Sequence, residues 1–314
     1  MQAVRSKPTG AASTWRLYQT LFVDHLEATN KAPMTIRTYT IAIDQLGAYL
    51  ESRGMLLDPT AVTREYMVEF MRSTRRPKDE GGLGLAAASA LQRYRSLSVF
   101  FKWLVQTDEI SESPMAKMSP PHLPDKMIPV VADDDLRKLL KVVGGKTFEA
   151  RRDKAIISLF IDTGVRLAEA AGIQLEDADL EEREIVVMGK GRRDRRIGIV
   201  RETRTDLQWY LLMRSRHPYA DEPWLWLGRK GKLTANGIYL MLKRRCKEAG
   251  IDPIHPHQLR HTFAHRYLAN GGNEGDLMKV TGWRSRSMVD RYGASAASAR
   301  AIAAHDLVSP RKGL

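Results

Sequence analysis

The sequence predicts a mainly helical, two-domain α+β protein: a helical N-terminal domain, then a mixed but mostly helical domain with a small antiparallel sheet. Three observations lead to this class. Apolar residues recur at helical spacing through most of the chain. A proline-rich stretch at 114–130 interrupts that pattern and predicts a linker. Beyond it, two short strand-like segments flank a glycine-containing basic turn, which is typical of a hairpin.

Composition limits the classes of protein that fit. The chain has 314 residues, 43% of them hydrophobic and 28% charged, which is typical of a folded protein with two domains. Because no apolar run could span a membrane and no signal peptide is apparent, we expect a cytoplasmic protein without a membrane partner. The single cysteine, Cys246, excludes an internal disulfide and a cysteine-cluster zinc site. A net charge of +13 favours a nucleic acid as the partner over a generic basic surface.

Five segments are expected along the chain. They are a flexible tail at 1–13, a helical domain at 14–113, the linker at 114–130, a second domain at 131–293 and a C-terminal tail at 294–314. In the first domain, Thr35 is predicted to cap the second helix and Thr63 the third. In the second domain, strands are predicted at Glu184 to Met188 and Arg196 to Val200, with a third at Trp224 to Leu227.

The fourth helix of the first domain, from about Ala86 to Gln106, carries basic residues beside its apolar stripe. These are Arg93, Arg95 and Lys102. They form either a solvated helix face or a set of contacts to DNA phosphates. The residues alone do not separate the two interpretations.

The segment 257–292 contains the first candidate site residues. His257 and Arg260 lie three positions apart on one predicted helix face, and His261 continues that face. A His-x-x-x-His spacing suggests a metal, but a metalloprotease needs Glu after the first His, and this chain has Gln258. No cysteine cluster or paired carboxylate completes a metal site. A solvated, capped helix start is the plain alternative.

Further charged candidates lie upstream. Arg166 follows a Thr-Gly turn and can pair with Glu169, either as a structural ion pair or to hold the guanidinium towards an anion. Lys190 lies on the predicted hairpin turn, where it is either solvated or able to reach a neighbouring site and supply a proton. Four flanking arginines are assigned to phosphate contact or solvent rather than chemistry: Arg192, Arg193, Arg195 and Arg196.

Tyr292 by itself would be a core or interface residue, but the accompanying groups suit phosphodiester cleavage. Two arginines can stabilise the non-bridging oxygens, and a tyrosine oxygen can attack phosphorus. A lysine or histidine can assist the proton transfers. Such a site needs no metal or other cofactor, and the covalent link conserves the bond energy, so resealing needs no ATP.

Four motifs in this order resemble the tyrosine recombinases of the phage integrase and Xer type. They are TGVRLAEA, VMGKGRRDRR, HQLRHTFA, and TGW followed nine residues later by a tyrosine. The resemblance covers about residues 14–305. It implies a tyrosine-recombinase fold and a site-specific recombinase or integrase that cleaves and rejoins DNA strands through a 3′-phosphotyrosine intermediate.

The same resemblance assigns roles to residues. Those in direct contact with the reacting phosphate are Arg166 and Arg260 as the clamp, Lys190 as general acid, His257 as acid/base and ligand, Trp283 as hydrogen-bond donor and Tyr292 as nucleophile. Glu169 and His261 support them. Most members have His at the position of Trp283. An indole N–H donates but cannot shuttle a proton, so Trp283 is expected to act by donation and by packing against the Tyr292 helix.

The resemblance also implies partners. The first domain would be a core-binding domain that closes, with the catalytic domain, around a double-stranded crossover site; this favours DNA contact by Arg93, Arg95 and Lys102, with Arg37 a weaker candidate. Four copies would form the synapse, and the free protein would be a monomer or weak dimer. A host DNA-bending factor is a further candidate partner. The tail at 294–314 is either a frayed helix or packs in trans on a neighbouring copy.

Two rival functions belong to other classes. A type IB topoisomerase would use related chemistry and relax DNA without partner exchange, and the two-domain organisation argues against it. A non-catalytic DNA-binding regulator is disfavoured because every position of the catalytic set holds a competent residue. We expect a prokaryotic or phage protein associated with the nucleoid.

Overall fold

The computed structural model describes residues 11–123, 129–189, 193–290, 301, 302, 305, 309, 311 and 312. The chain divides into two compact units, Met1–Asp125 and Lys126–Leu314. Most described residues are helical and the small sheets are antiparallel, which confirms the predicted fold class. Among the described residues, no helix combines the length and apolar character that a membrane crossing requires.

The described part of the first unit contains four α-helices: α1 Ala11–Ala28, α2 Pro33–Ser52, α3 Arg64–Arg75 and α4 Ala87–Gln106. α2 begins at Pro33, because the fixed φ of proline suits a first helical turn, and its N-cap residue makes no side-chain cap bond. The predicted cap at Thr35 is therefore wrong, since Thr35 already lies inside the helix. Thr63 does cap α3, as predicted, by accepting a hydrogen bond from the Tyr66 N–H.

Aromatic side chains fill the interior of the first unit. Phe22 of α1 lies against Phe100 and Trp103 of α4, with ring centroids 5.2 Å apart in both pairs. The start of the predicted linker also joins this core. Met115 is buried, and the Tyr94 hydroxyl donates to the Met118 carbonyl at 2.5 Å. The first residues after 113 are thus packed against the helices of the first unit.

The described part of the second unit contains seven α-helices: α5 Asp133–Val142, α6 Phe148–Thr163, α7 Leu167–Gly172, α8 Arg201–Arg214, α9 Ala235–Glu248, α10 Pro256–Ala269 and α11 Glu274–Thr281. α6 is its central element, with Ile156, Leu159 and Phe160 buried. α8 and α10 pack against α6, so the C-terminal end of α6 lies beside α10.

The strands differ from the prediction in two ways. The main sheet has the order β1 (Ala178–Asp179), β2 (Glu184–Gly189) and β3 (Arg193–Gly198), and β4 (Leu227–Gly228) pairs with β5 (Gly231–Lys232) separately. The segment predicted as a third strand, Trp224 to Leu227, is only partly strand: Trp224 forms an isolated antiparallel bridge with Gln174, and β4 begins at Leu227. The segment also packs against α7, because the Trp226 indole N–H donates to the Ala170 carbonyl at 2.9 Å.

β3 also begins earlier than predicted. Its pairing with β2 starts at Gly189 and Arg193 and ends at Glu184 and Gly198. Val200, predicted to lie in the strand, is the N-cap residue of α8. The strand therefore includes arginines that the sequence prediction left on the turn.

Candidate active site

The turn that ends α6 allows α10 to approach. Gly164 has a φ of 59°, in the left-handed region that favours glycine. A Cβ at this position would lie 2.6 Å from Cδ1 of Phe263 on α10, far inside van der Waals contact. Glycine is required here for both reasons. Arg166 follows two residues later as the N-cap residue of α7.

Arg166 is held by a carboxylate on its own helix. The Glu169 carboxylate accepts a hydrogen bond from the Arg166 backbone N–H at 3.0 Å and another from its Nη1 at 2.6 Å. The predicted pair at i and i+3 is thus present. The Arg166 side chain stays 36% exposed while that of Glu169 is 5% exposed. The buried carboxylate therefore orients the guanidinium, which remains open to solvent.

Arg195 binds the same carboxylate from β3. Its Nη1 and Nη2 donate to the two Glu169 oxygens at 3.0 and 2.8 Å, and its Nε donates to the Val280 carbonyl at 2.8 Å. Its side chain is only 13% exposed, and its donors bind the protein itself. The assignment of Arg195 to phosphate or solvent is wrong, because the strand turns this side chain inward.

The Glu169 carboxylate is ionised in spite of its burial. Burial by itself would raise its pKa, but the hydrogen bonds from Arg195 and from the Arg166 backbone and side chain outweigh that effect and lower the pKa to about 2. A permanent negative charge therefore lies between two guanidinium groups.

Arg260 joins two helix ends that are far apart in sequence. It is 2% exposed, and its Nη1 and Nη2 donate to the carbonyls of Gly164 and Thr281 at 2.8 and 2.7 Å. Its Cζ lies 5.3 Å from the ring centroid of Trp283. The alternative of a solvated helix start is wrong for Arg260. Arg260 is buried inside the second unit, where its hydrogen bonds fix its direction.

His257 lies at the start of α10, on an exposed edge. The N-cap residue of this helix is His255, whose Nδ1 accepts a hydrogen bond from the His257 N–H at 3.2 Å. The two imidazoles stack, with centroids 5.4 Å apart and planes 8° apart. Gln258 completes the cap by accepting from the His255 N–H at 2.8 Å, so this side chain has a structural role at the helix start.

The pKa of His257 is lowered by partial desolvation, and further by the positive charges of His255, Arg260 and Arg166. This shift favours the neutral imidazole, a form that can both accept and donate a proton. These charges reach His257 because both arginines lie near the start of α10.

The histidines of α10 do not assemble a metal site. His261 is 2% exposed, in contrast to the exposed His257. Within residues 11–123, 129–189 and 193–290, no group of three or more His, Cys, Asp or Glu side chains is arranged to hold a metal ion.

Trp283 is fixed by the turn that ends α11. Gly282 has a φ of 67°, and the Trp283 N–H donates to the Met278 carbonyl at 2.9 Å. The indole is buried in a cluster with Leu268 of α10, Leu277 of α11 and Val289. Val289 belongs to the helical residues 286–290, so Trp283 packs with the segment that leads towards Tyr292.

Three predicted site residues lie outside the described residues: Lys190, Arg192 and Tyr292. Arg193 is the first residue of β3, and its backbone pairs with that of Gly189. The connection 190–192 therefore joins two paired residues, Gly189 of β2 and Arg193 of β3, and β3 is the strand that carries Arg195.

The candidate DNA contacts of the first unit differ from one another. Arg95 and Lys102 are exposed and lie seven residues apart, on one face of α4. Arg93 points elsewhere: its Nε donates to Oε1 of Gln45 on α2 at 2.5 Å, and burial lowers its pKa. Arg37 is exposed on α2.

Arg195 and His255 were missed by the sequence prediction, although a signal for each was present. Alternation along a strand puts Arg195 on the same face as Ile197, which is fully buried. The signal was lost because the strand was started three residues late. For His255, the position directly before the proline at the start of α10 indicates an N-cap.

This chain is similar to known proteins along most of its length. The model of the phage integrase family matches residues 129–299. The tyrosine recombinase XerD of Listeria monocytogenes serotype 4b (strain F2365) is 30% identical over 263 residues, covering 82% of this chain and 86% of the relative. The tyrosine recombinase XerC of Salmonella typhi is 30% identical over 270 residues, covering 83% and 85%.

A solved structure shares the fold. The XerH site-specific recombinase bound to palindromic difH substrate, in a post-cleavage complex, has a TM-score of 0.70 at 17% identity. The match covers 95% of this chain and 85% of that one. At this identity the likeness concerns the fold alone.

Proposed function

This chain belongs to the phage integrase family, and from that membership we propose how its own residues cleave and rejoin DNA. It is a tyrosine-type site-specific recombinase. A topoisomerase or a non-catalytic regulator is not favoured, because the recombinase relatives match more than four fifths of the chain.

We propose that Tyr292 attacks the scissile phosphate and forms a 3′-phosphotyrosine while the 5′ oxygen leaves as a hydroxyl. Arg166 and Arg260 would stabilise the charge on the non-bridging oxygens, and Trp283 would donate to one of them. Lys190 would protonate the leaving oxygen, and neutral His257 would exchange protons with the reacting groups. Rejoining reverses these steps with a 5′ hydroxyl of the partner strand.

The convergence of Arg166, Arg260 and Trp283 carries this proposal. Arg260 donates to the carbonyl two residues before Arg166 and lies against the Trp283 ring. Two guanidinium groups and an indole so arranged bring positive charge and hydrogen-bond donors to one place, which suits an anion. Cationic donors can stabilise a pentacoordinate phosphorus without a metal.

Duplex DNA at a crossover site is the proposed substrate. Arg95 and Lys102 would contact its phosphates from the exposed face of α4, with smaller contributions from Arg37, Arg93, Arg192 and Arg193. The first unit would act as the core-binding domain and the second as the catalytic domain. We propose that four copies form the synapse and that the free protein is a monomer or weak dimer. In the synapse, the tail at 294–314 would link neighbouring copies, and an accessory DNA-bending protein would assist assembly.

Loss of the covalent intermediate tests the nucleophile. A crossover site can be selected from random duplexes by their binding to the protein and rebuilt as a nicked suicide substrate. Tyr292→Phe should bind this DNA with an affinity within about threefold of the wild type and form no covalent adduct, because only the attacking oxygen is removed. Adduct is measured on denaturing gels.

Tyr219→Phe is the matched control, because Tyr219 is an exposed tyrosine of the same unit. It should form adduct at the wild-type rate. A covalent adduct in the Tyr292→Phe protein would contradict the assignment, as would a wild-type protein that forms none.

A further inference from the structure

Arg195 lies where three parts of the candidate site meet. Its side chain leaves β3, binds Glu169 of α7 through two hydrogen bonds and binds the Val280 carbonyl of α11 through a third. A Cβ at Gly282 would lie 3.3 Å from its Nη1, so the guanidinium abuts the turn that precedes Trp283. No other role described for the site uses this residue.

The contacts of Arg195 fix the partner of Arg166. Glu169 shares its two oxygens between the two arginines, and both oxygens bind both residues. The fork of Arg195 defines the plane of the carboxylate, because paired N–H donors are geometrically specific. Arg166, whose side chain is more exposed, therefore takes its direction from a carboxylate that Arg195 holds still.

The position of Arg195 on β3 extends this effect to the hairpin. The strand pairs with β2 from Gly189 onwards, and Lys190 directly follows Gly189. A side chain that anchors β3 to α7 and α11 also anchors the end of the β2–β3 pair at Gly189 and Arg193. The same bonds thus relate three positions: Arg166, the residues that flank 190–192, and the turn before Trp283.

We propose that Arg195 is a positioning residue, which keeps the Arg166 guanidinium, the paired ends of β2 and β3 at Gly189 and Arg193, and the Trp283 turn in one geometry for strand cleavage. The inference rests on the proposed function. It assigns Arg195 no contact with DNA. Its effect on the rate comes through orientation, because a displacement of about 1 Å in a reacting assembly can cost on the order of 100-fold.

Single-turnover cleavage of the suicide substrate at saturating enzyme tests this role. Arg195→Gln should lower the rate constant for adduct formation by on the order of 100-fold, while the affinity for the site stays within about threefold. Arg195→Lys should recover little, because an ammonium cannot reproduce the paired donors. Arg196→Gln is the matched control: its neighbour on β3 forms an exposed ion pair with Glu184, and its loss should leave the rate within about twofold.

Two readouts separate positioning from general support of the fold. The Arg195→Gln and Glu169→Gln losses should not multiply in the double variant, because both act through one carboxylate. In Arg195→Gln, the acid limb of the rate against pH should move to higher pH, because the carboxylate has lost two of its donors. Melting curves record whether each variant is folded, and Arg195→Lys retains the charge if Arg195→Gln does not fold.

Wild-type rates in both Arg195→Gln and Arg195→Lys would overturn this inference and leave the proposed function intact, since the wild type still forms adduct. Fully multiplicative losses with an unmoved acid limb would also overturn it. Absence of adduct from the wild type would instead contradict the proposed function.

Discussion

Arg260 and the exposed cations of α4 show two opposite uses of positive charge in one chain. Arg260 is buried, and backbone carbonyls from two helix ends fix its direction. Arg95 and Lys102 remain exposed on a helix face. A buried guanidinium is costly unless it is hydrogen-bonded, but it keeps one orientation. An exposed cation keeps its hydration and acts through long-range attraction that salt screens.

The difference separates chemistry from affinity. Oriented donors in a water-poor site can favour a transition state over the bound substrate. Mobile surface cations attract the phosphate backbone throughout and release counterions on binding. Substitutions in the two regions should therefore differ in what they change, not only in how much.

The largest effect is expected at Arg260. Arg260→Ala should lower the rate of adduct formation by on the order of 1,000-fold, because the donor proposed to stabilise the phosphate is lost. It should also lower the free energy of unfolding by about 2–4 kcal/mol, because two buried carbonyls lose their donor. Single-turnover cleavage and urea unfolding measure the two. Arg260→Lys should remain impaired in both, and a fully active, stable Arg260→Ala protein would remove the contrast drawn above.

An intermediate effect is expected at Glu169. Its pKa shift determines whether the stabilisation is lost towards low or high pH. The folded-state pKa is lowered from 4.5 to about 2, so the stabilisation is fully present above the unfolded-state pKa and is lost as pH falls from about 4.5 towards 2. Glu169→Gln should cost on the order of 3 kcal/mol of unfolding free energy at pH 7. Relative to the wild type, this difference should shrink at pH 3.

Urea unfolding at the two pH values measures that difference. Glu184→Gln is the control, because its ion pair with Arg196 lies at the surface; it should change stability by less than about 1 kcal/mol at either pH. A Glu169→Gln difference that grows on acidification would mean that the carboxylate is not the stabilising form.

The smallest effect on chemistry is expected on α4. Arg95→Gln and Lys102→Gln should each reduce the slope of log binding constant against log salt concentration by about 0.9, with cleavage at saturation unchanged. Their unfolding free energies should stay within about 0.5 kcal/mol of the wild type. Salt titrations of binding to the selected duplex supply the slope.

Arg93→Gln completes the series, because Arg93 lies on the same helix but bonds to Gln45. It should reduce the slope less than Arg95→Gln does and lower stability more. If Arg93→Gln reduced the salt slope and Arg95→Gln left it at the wild-type value, the phosphate-facing side of α4 would be the side of Arg93.

Much of the local structure was predictable because its causes are local. Thr63 caps α3 through a bond three residues along, and Arg166 pairs with Glu169 three residues along. Errors arose where two local signals competed. Pro33 started α2 before the threonine at position 35 could cap it. The segment containing Trp226 was predicted as one strand, but only its last residue, Leu227, lies in β4, and the Trp226 indole N–H bonds to α7.

The sequence by itself determined the helical class, the order of the motifs and the chemical identity of the candidate groups, since these follow from residue type and short spacing. Tertiary structure decided what those groups face. Arg260 meets Gly164 across 96 residues, Arg195 meets Glu169 across 26, and Arg93 meets Gln45 across 48. The sequence does not show whether an arginine is solvated, bound to a carboxylate or hydrogen-bonded to carbonyls. Only packing sets its environment, and the environment sets its role.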